Sequence, residues 1–246
     1  MYALTGMTTS ATSPSDEAES RLIAPAWHTA VVLVVLFGFS AFSVWRGSQT
    51  SGESVGPHAR MVNYAVIMVW EWLMVAFIAW GVHRRGARIA DLIAGSWPRW
   101  TAILRDLGIA VLFLVGSNVV LGIMRFALKA TPTQAMRDII PQTPAEIGLW
   151  MVLALTAGFC EEVIFRGYLQ KQLGLMTGSA AAGLVLQGIV FGVSHGYQGA
   201  KFMLTIAVYG CLFGWLAYWR RSLRPGMLAH FLQDSVTGLL LRHFLK

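Results

Sequence analysis

From residue 25 onward, long apolar runs alternate with short polar or basic interruptions. The runs at 27–45, 61–82, 104–126, 146–168, 180–195, 202–219 and 227–244 predict seven helices. Most approach the roughly 20 residues that cross the hydrocarbon core of a bilayer. The run at 180–195 is shorter, as expected of a tilted, broken or partly re-entrant helix. The fold class is therefore all-α, a polytopic transmembrane bundle of about seven or eight helices. Small residues recur at four-residue spacing, at Gly188, Gly192 and Gly196 and again at Gly210 and Gly214. Such spacing lets helix backbones approach closely and places the fifth run centrally. No internal repeat of 20–50 residues is visible, which argues against an inverted-repeat transporter.

Composition agrees with the membrane reading. Of the 246 residues, 56% are hydrophobic and 13% charged, and the mean hydropathy is +0.58. Residues 1–24 are rich in Ser, Thr, Ala and acids, without a basic start followed by an apolar stretch, and read as a disordered polar tail rather than a signal peptide. Residues 25–246 form the helical domain, with a motif-bearing core at about 146–244. The net charge of +7 is assigned to anionic lipid and loop orientation, not to nucleic acid. Arg84, Arg85, Arg88 and Arg99 lie between the second and third runs, with Arg105 at the very start of the third, and Arg220, Arg221 and Arg224 lie between the sixth and seventh. The positive-inside bias puts both loops and the N-terminus in the cytoplasm, as in a multi-pass protein of a bacterial cytoplasmic membrane. The loop with Arg125, Lys129 and Arg137 runs against that bias. Cys160 and Cys211 make no metal-type spacing and read as small packing residues.

The chemistry is concentrated in the last hundred residues. Glu161, Glu162 and Arg166 lie inside an apolar helix, where each ionisable group costs about 2.5–3.5 kcal/mol on insertion scales. Glu162 and Arg166 are four apart with the acid first, the better orientation for a helical ion pair. Glu161 points about 100° away from Glu162 and is left without a local partner, as a general base for water requires. His195 is level with it: each lies 17 residues from Gly178, about 25 Å along an ideal helix, and a turn falls at Gly178 between two antiparallel helices. Phe191 shares the face of His195. His230 and Asp234 are again four apart, so one face offers an imidazole and an oxygen acceptor that can fix its tautomer or help to hold an oxyanion. Glu71, Asn118 and Gln187 are further polar groups within apolar runs, read chiefly as structural.

Glu161-Glu162-x-x-x-Arg166, Phe191-x-x-x-His195 and His230-x-x-x-Asp234, in that order over 148–241, resemble the CPBP family of intramembrane proteases, which includes the CAAX prenyl endopeptidases and bacteriocin-processing or self-immunity proteins. The resemblance implies an eight-helix or similar bundle that cleaves peptide bonds of a membrane-associated peptide or protein in a cavity near the cytoplasmic side. By carry-over, Glu161 and His195 activate the attacking water, His230 and Asp234 stabilise the oxyanion, and Glu162 and Arg166 form the supporting ion pair. Many members have Asn where this chain has Asp234; an ionised Asp would repel an oxyanion, so it must be protonated or act through His230. No cofactor is called for, although Glu161, His195 and His230 could supply the ligands of a catalytic zinc ion; no H-E-x-x-H helix is present. The alternative reading is a non-catalytic membrane binding or immunity scaffold using the same polar cluster structurally.

Overall fold

The computed structural model describes residues 22–49 and 55–244. Among these residues all regular structure is helical. In chain order the elements are α1 (Ala26–Gln49), α2 (Pro57–His83), the short α3 (Ile89–Ile93), α4 (Trp100–Ala127), the short α5 (Gln134–Asp138) and α6 (Pro144–Glu161). A π-helical stretch (Glu162–Leu169) joins α6 to α7 (Gln170–Thr177); then follow α8 (Ala180–Ser194), a 3-10 turn (Gly196–Gln198), α9 (Ala200–Arg220) and α10 (Arg224–Phe244). Five segments, namely α1, α2, α4, the continuous Pro144–Thr177 and α9, are long and apolar enough to cross a membrane. The seven expected runs all form helices, with α8 the short one and α10 the most polar. Outward-facing side chains such as Val34, Leu112 and Phe126 are exposed, as lipid-facing residues are. The chain is an integral, multi-pass membrane protein.

Local chemistry fixes the helix ends that matter for the site. The hydroxyl of Thr143 accepts from the Glu146 amide at 3.3 Å while the Glu146 carboxylate accepts from the Thr143 amide at 2.7 Å, a reciprocal cap. Arg60 pairs with the same carboxylate at 2.9 Å, so the start of α6 is tied to α2. At the far end Gly178, with φ of +68°, closes α7, and Ser179 caps α8 through the Ala182 amide.

The segment Pro144–Thr177 is the centre of the bundle: 56% of its most apolar window is buried against 17% for α4. Helices α2 and α10 pack on α6, and α8 packs on both α7 and α9. Every residue of the π-helical stretch is buried. Its Tyr168 hydroxyl meets His28 at 2.8 Å and Thr29 at 2.9 Å, joining α1 to the centre. Residues 22–24, grouped by composition with the polar tail, are packed: Leu22 and Ala24 are buried, and the Gln172 side chain accepts from the Ile23 amide at 3.0 Å and donates to the Ala24 carbonyl at 2.8 Å. The remainder of that tail, 1–21, lies outside the described residues.

The two basic loops meet on one face. The Leu223 amide donates to Ile93 O at 2.9 Å, and Ser222 and Arg224 donate to Ala94 O at 3.1 and 3.3 Å. The turn between α9 and α10 is thus stitched to the connection between α3 and α4.

Close approach of α8 and α9 depends on the spaced glycines. A Cβ at Gly192 would lie 2.5 Å from the Met203 carbonyl oxygen, and one at Gly188 would lie 2.9 Å from Ala207 O. Backbone oxygens cannot swing aside, so Gly192→Val is expected to destabilise by about 1–3 kcal/mol or more, read as a lower melting temperature in detergent. Gly148→Ala, where a Cβ meets nothing within 4 Å, should melt with the wild type; equal loss in both variants would refute the close-packing account.

Candidate active site

Gly158 brings the site together. It lies one turn before Glu161, and a Cβ there would be only 3.0 Å from Met227 O and Phe231 N, so α10 approaches α6 backbone to backbone. The two helices run antiparallel: the Trp150 indole donates to Asp234 O at 2.9 Å, while Gly226, at the start of α10, faces the Glu162 carboxylate. This contact places His230 against the paired acids. The α-helix gives way to π-helical turns at Glu162, a geometry often found at functional sites because its wider turns re-aim side chains.

The His230 ring lies among three carboxylates. Its Nδ1 is 3.1 Å from Glu162 Oε1, and its Nε2 is 3.5 Å from Glu161 Oε2 and 3.7 Å from Asp234 Oδ2. Glu162 in turn pairs with Arg166 at 3.0 Å, both side chains fully buried. The guanidinium lies over the Phe191 ring at 4.2 Å and the Phe213 ring at 4.8 Å, and Arg166 Nη2 reaches Gly210 O at 3.5 Å. Exposure rises across the cluster: the side chain of Glu162 is sealed, that of Glu161 is 17% exposed and that of Asp234 32%. The open side of the cluster is therefore the side of Glu161 and Asp234.

Glu161, without a local partner on its own helix, is faced by His230, whose two ring nitrogens address it and Glu162, a long-range contact that rotation about one helix does not reveal. His195, expected level with Glu161, makes no hydrogen bond to Glu161, His230 or Asp234. It caps the end of α8 and donates through Nδ1 to Phe191 O at 2.8 Å. A carbonyl only accepts, so a neutral His195 carries its proton on Nδ1 and keeps Nε2 as a free base. The π-helical stretch, which advances less per residue than an α-helix, changes the ideal count of levels. Phe191 links the two imidazoles, with ring centroids 4.8 Å from His195 and 6.2 Å from His230.

Two further groups join the cluster. Glu71 lies on the stripe of α2 that includes Met74, Val75 and Ile78, which pack with Cys160, Val163 and Ile164; Trp72 stacks on Phe159 at 5.5 Å. The Glu71 residue is 2% exposed and its Oε2 has no hydrogen-bond partner, and the charges of Glu161 and Asp234 act on it. Its sequence signal was a carboxylate in an apolar run, the same signal as Glu161. Tyr197, in the 3-10 turn after α8, carried no signal beyond lying two residues past His195. Burial, opposed by the Gln198 amide and reinforced by Glu161, Asp234 and Glu71, pushes its phenol up to about 12. Tyr197 thus stays protonated and is a donor at neutral pH.

The donors do not gather as a zinc site. Both nitrogens of His230 face carboxylates, and among the described residues no three His, Cys, Asp or Glu side chains form a group able to hold a metal ion. Glu161, His195 and His230 thus do not present the three convergent ligands that a catalytic zinc ion takes. Cys160 and Cys211 are unbridged.

The bundle thus holds a carboxylate and imidazole cluster buried at its centre and open on one side. Residues 143–236, the segment that holds this cluster, match the family model described as Type II CAAX prenyl endopeptidase Rce1-like. The uncharacterized protein YpbD of Bacillus subtilis (strain 168) is 34% identical over 92 residues, covering 37% of this chain and 44% of YpbD; the chain thus spans less than half the length of that relative. No solved structure matches.

Proposed function

We propose that the chain is a membrane-embedded endopeptidase that hydrolyses peptide bonds of membrane-delivered peptides or proteins, with the basic face in the cytoplasm. The observation that carries this reading is the convergence of Glu161, Glu162 and Asp234 on the ring of His230 within the Rce1-like segment. Glu161 is the base. It takes a proton from water, the oxygen attacks the scissile carbonyl carbon, and the carbonyl oxygen becomes an oxyanion. His230, held through Nδ1 by Glu162, presents Nε2 between Glu161 and Asp234 without a close bond to either, and its proton meets the oxyanion. Asp234 acts through His230, as its 3.7 Å separation from Nε2 suits, and so favours the protonated ring rather than touching the oxyanion. Collapse of the intermediate breaks the C–N bond, and the proton held by Glu161 passes to the leaving amine. His195, with Nε2 free, shares the handling of water.

The test is a terminal-peptide survey of reconstituted membranes containing the wild type or Glu161→Gln. New peptide termini that need Glu161 support the proposal; identical profiles from folded proteins point instead to a binding scaffold.

Glu71 extends the same reading. A buried carboxyl with an unpartnered oxygen is costly, so replacing it by an apolar side chain of similar length should stabilise the fold. Glu71→Met is expected to melt higher, by about 1–3 kcal/mol, while turnover falls at least tenfold because an acid next to Glu161 is lost. Steady-state kinetics with melting curves check this, and unchanged turnover would make Glu71 a purely structural group.

A further inference from the structure

A second site lies on the basic face, apart from His230. A cavity of about 500 Å³ opens where the turn between α9 and α10 meets α3 and the start of α7; its lining includes Lys171, Trp219, Arg221 and Ser222, with Arg166 and Gln170 among the deeper residues. No carboxylate lines it. Volumes of 300–1,000 Å³ are those of small-ligand pockets.

The ammonium group of Lys171 is held in place. Lys171 Nζ donates to Leu92 O at 3.0 Å and to Asp91 O at 3.4 Å, which fixes the ammonium group without neutralising it. Arg221 has φ of +50°, in the left-handed region that non-glycine residues seldom adopt, and ends α9 at the cavity. Neither makes an ion pair among the described residues, unlike neighbouring Arg220, which lies 3.5 Å from Asp106. Below them Arg166 is 1% exposed and Gln170 8%, and Arg166 Nε and Gln170 Oε1 have no hydrogen-bond partner. Buried polar atoms are normally satisfied. A donor and an acceptor left open beneath two cations that make no close ion pair suit a group with anionic oxygens and a hydroxyl. The exposed Tyr218 and Trp219, at the end of a spanning helix, mark the level of the lipid headgroups.

We infer that this cavity binds the phosphate headgroup of an anionic phospholipid from the leaflet on the basic face. Lys171 and Arg221 contact the phosphate, and a headgroup hydroxyl reaches Gln170. Basic pockets between spanning helices on the cytoplasmic side serve this purpose in general. The binding does not depend on the proposed peptidase activity.

The experiment is native mass spectrometry of the full chain in detergent micelles titrated with phosphatidylglycerol or phosphatidylcholine, with inorganic phosphate in a parallel arm. Retention of phosphatidylglycerol at least tenfold above phosphatidylcholine is expected, lost in Lys171→Gln and in Arg221→Gln. Arg99→Gln removes an equal charge from the same face outside the cavity and is expected to keep the preference. Melting curves establish that each variant is folded; if the lysine variant unfolds, Arg221→Gln alone decides. Equal retention of both lipids, or equal loss in Arg99→Gln, would overturn the site in favour of diffuse attraction. Displacement of phosphatidylglycerol by millimolar inorganic phosphate would overturn the lipid assignment and make this a soluble-phosphate site.

Discussion

Glu161→Gln is expected to leave the bundle folded and to lower peptide-bond hydrolysis by about 10²–10⁴-fold, the range supplied by a positioned general base. Glutamine keeps the size of the side chain and a hydrogen-bonding end, and Glu161 has little structural work to lose: it is partly exposed, its Oε2 has no hydrogen-bond partner, and His230 Nε2 is 3.5 Å away from it. Glu162, one residue on, is its internal control. Fully buried and tied to both Arg166 and His230, it should cost stability when replaced by Gln, whereas Glu161 should cost rate alone. Turnover and melting temperature measured together separate the two. A Glu161→Gln protein that melts normally and cleaves at more than a tenth of the wild-type rate would remove Glu161 from the role of base.

Features governed by local periodicity were legible in the chain. The Glu162–Arg166 pair is an i,i+4 contact on one helix, and it forms at 3.0 Å. The glycines of α8 and α9 sit where backbones meet, because small residues at helical spacing have few other uses at an interface. What stayed hidden depends on partners distant in sequence or on departures from ideal helical geometry. Nothing in the spacing of Glu161 and Glu162 announces that His230, 68 residues beyond Glu162, faces both, since that follows from the approach of α10 at Gly158. The π-helical stretch at 162–169 likewise has no compositional mark. Glu71 was visible as an acid in an apolar run, but its burial in the bundle required the packing of α2 on α6.

Arg166→Gln is expected to be the most destabilising single substitution at the site, by about 3–5 kcal/mol, because it strands the buried Glu162 carboxylate. The reverse change, Glu162→Gln, should cost less. Arg166 would keep the faces of Phe191 and Phe213 at 4.2 and 4.8 Å, and desolvated cation–π contacts of that kind contribute about 2 kcal/mol. Glu162 has no comparable reserve: with Arg166 gone it retains only His230, whose charge depends on protonation. The double variant Glu162→Gln/Arg166→Gln removes both charges at once and should be less destabilised than the sum of the singles, with a coupling of about 0.5–3 kcal/mol as found for contacting residues. Equilibrium unfolding of the four proteins in mixed micelles gives the cycle directly. Strict additivity would show that the pair is not coupled in the folded state, and a larger loss for Glu162→Gln than for Arg166→Gln would show that the aromatic faces do not hold the guanidinium.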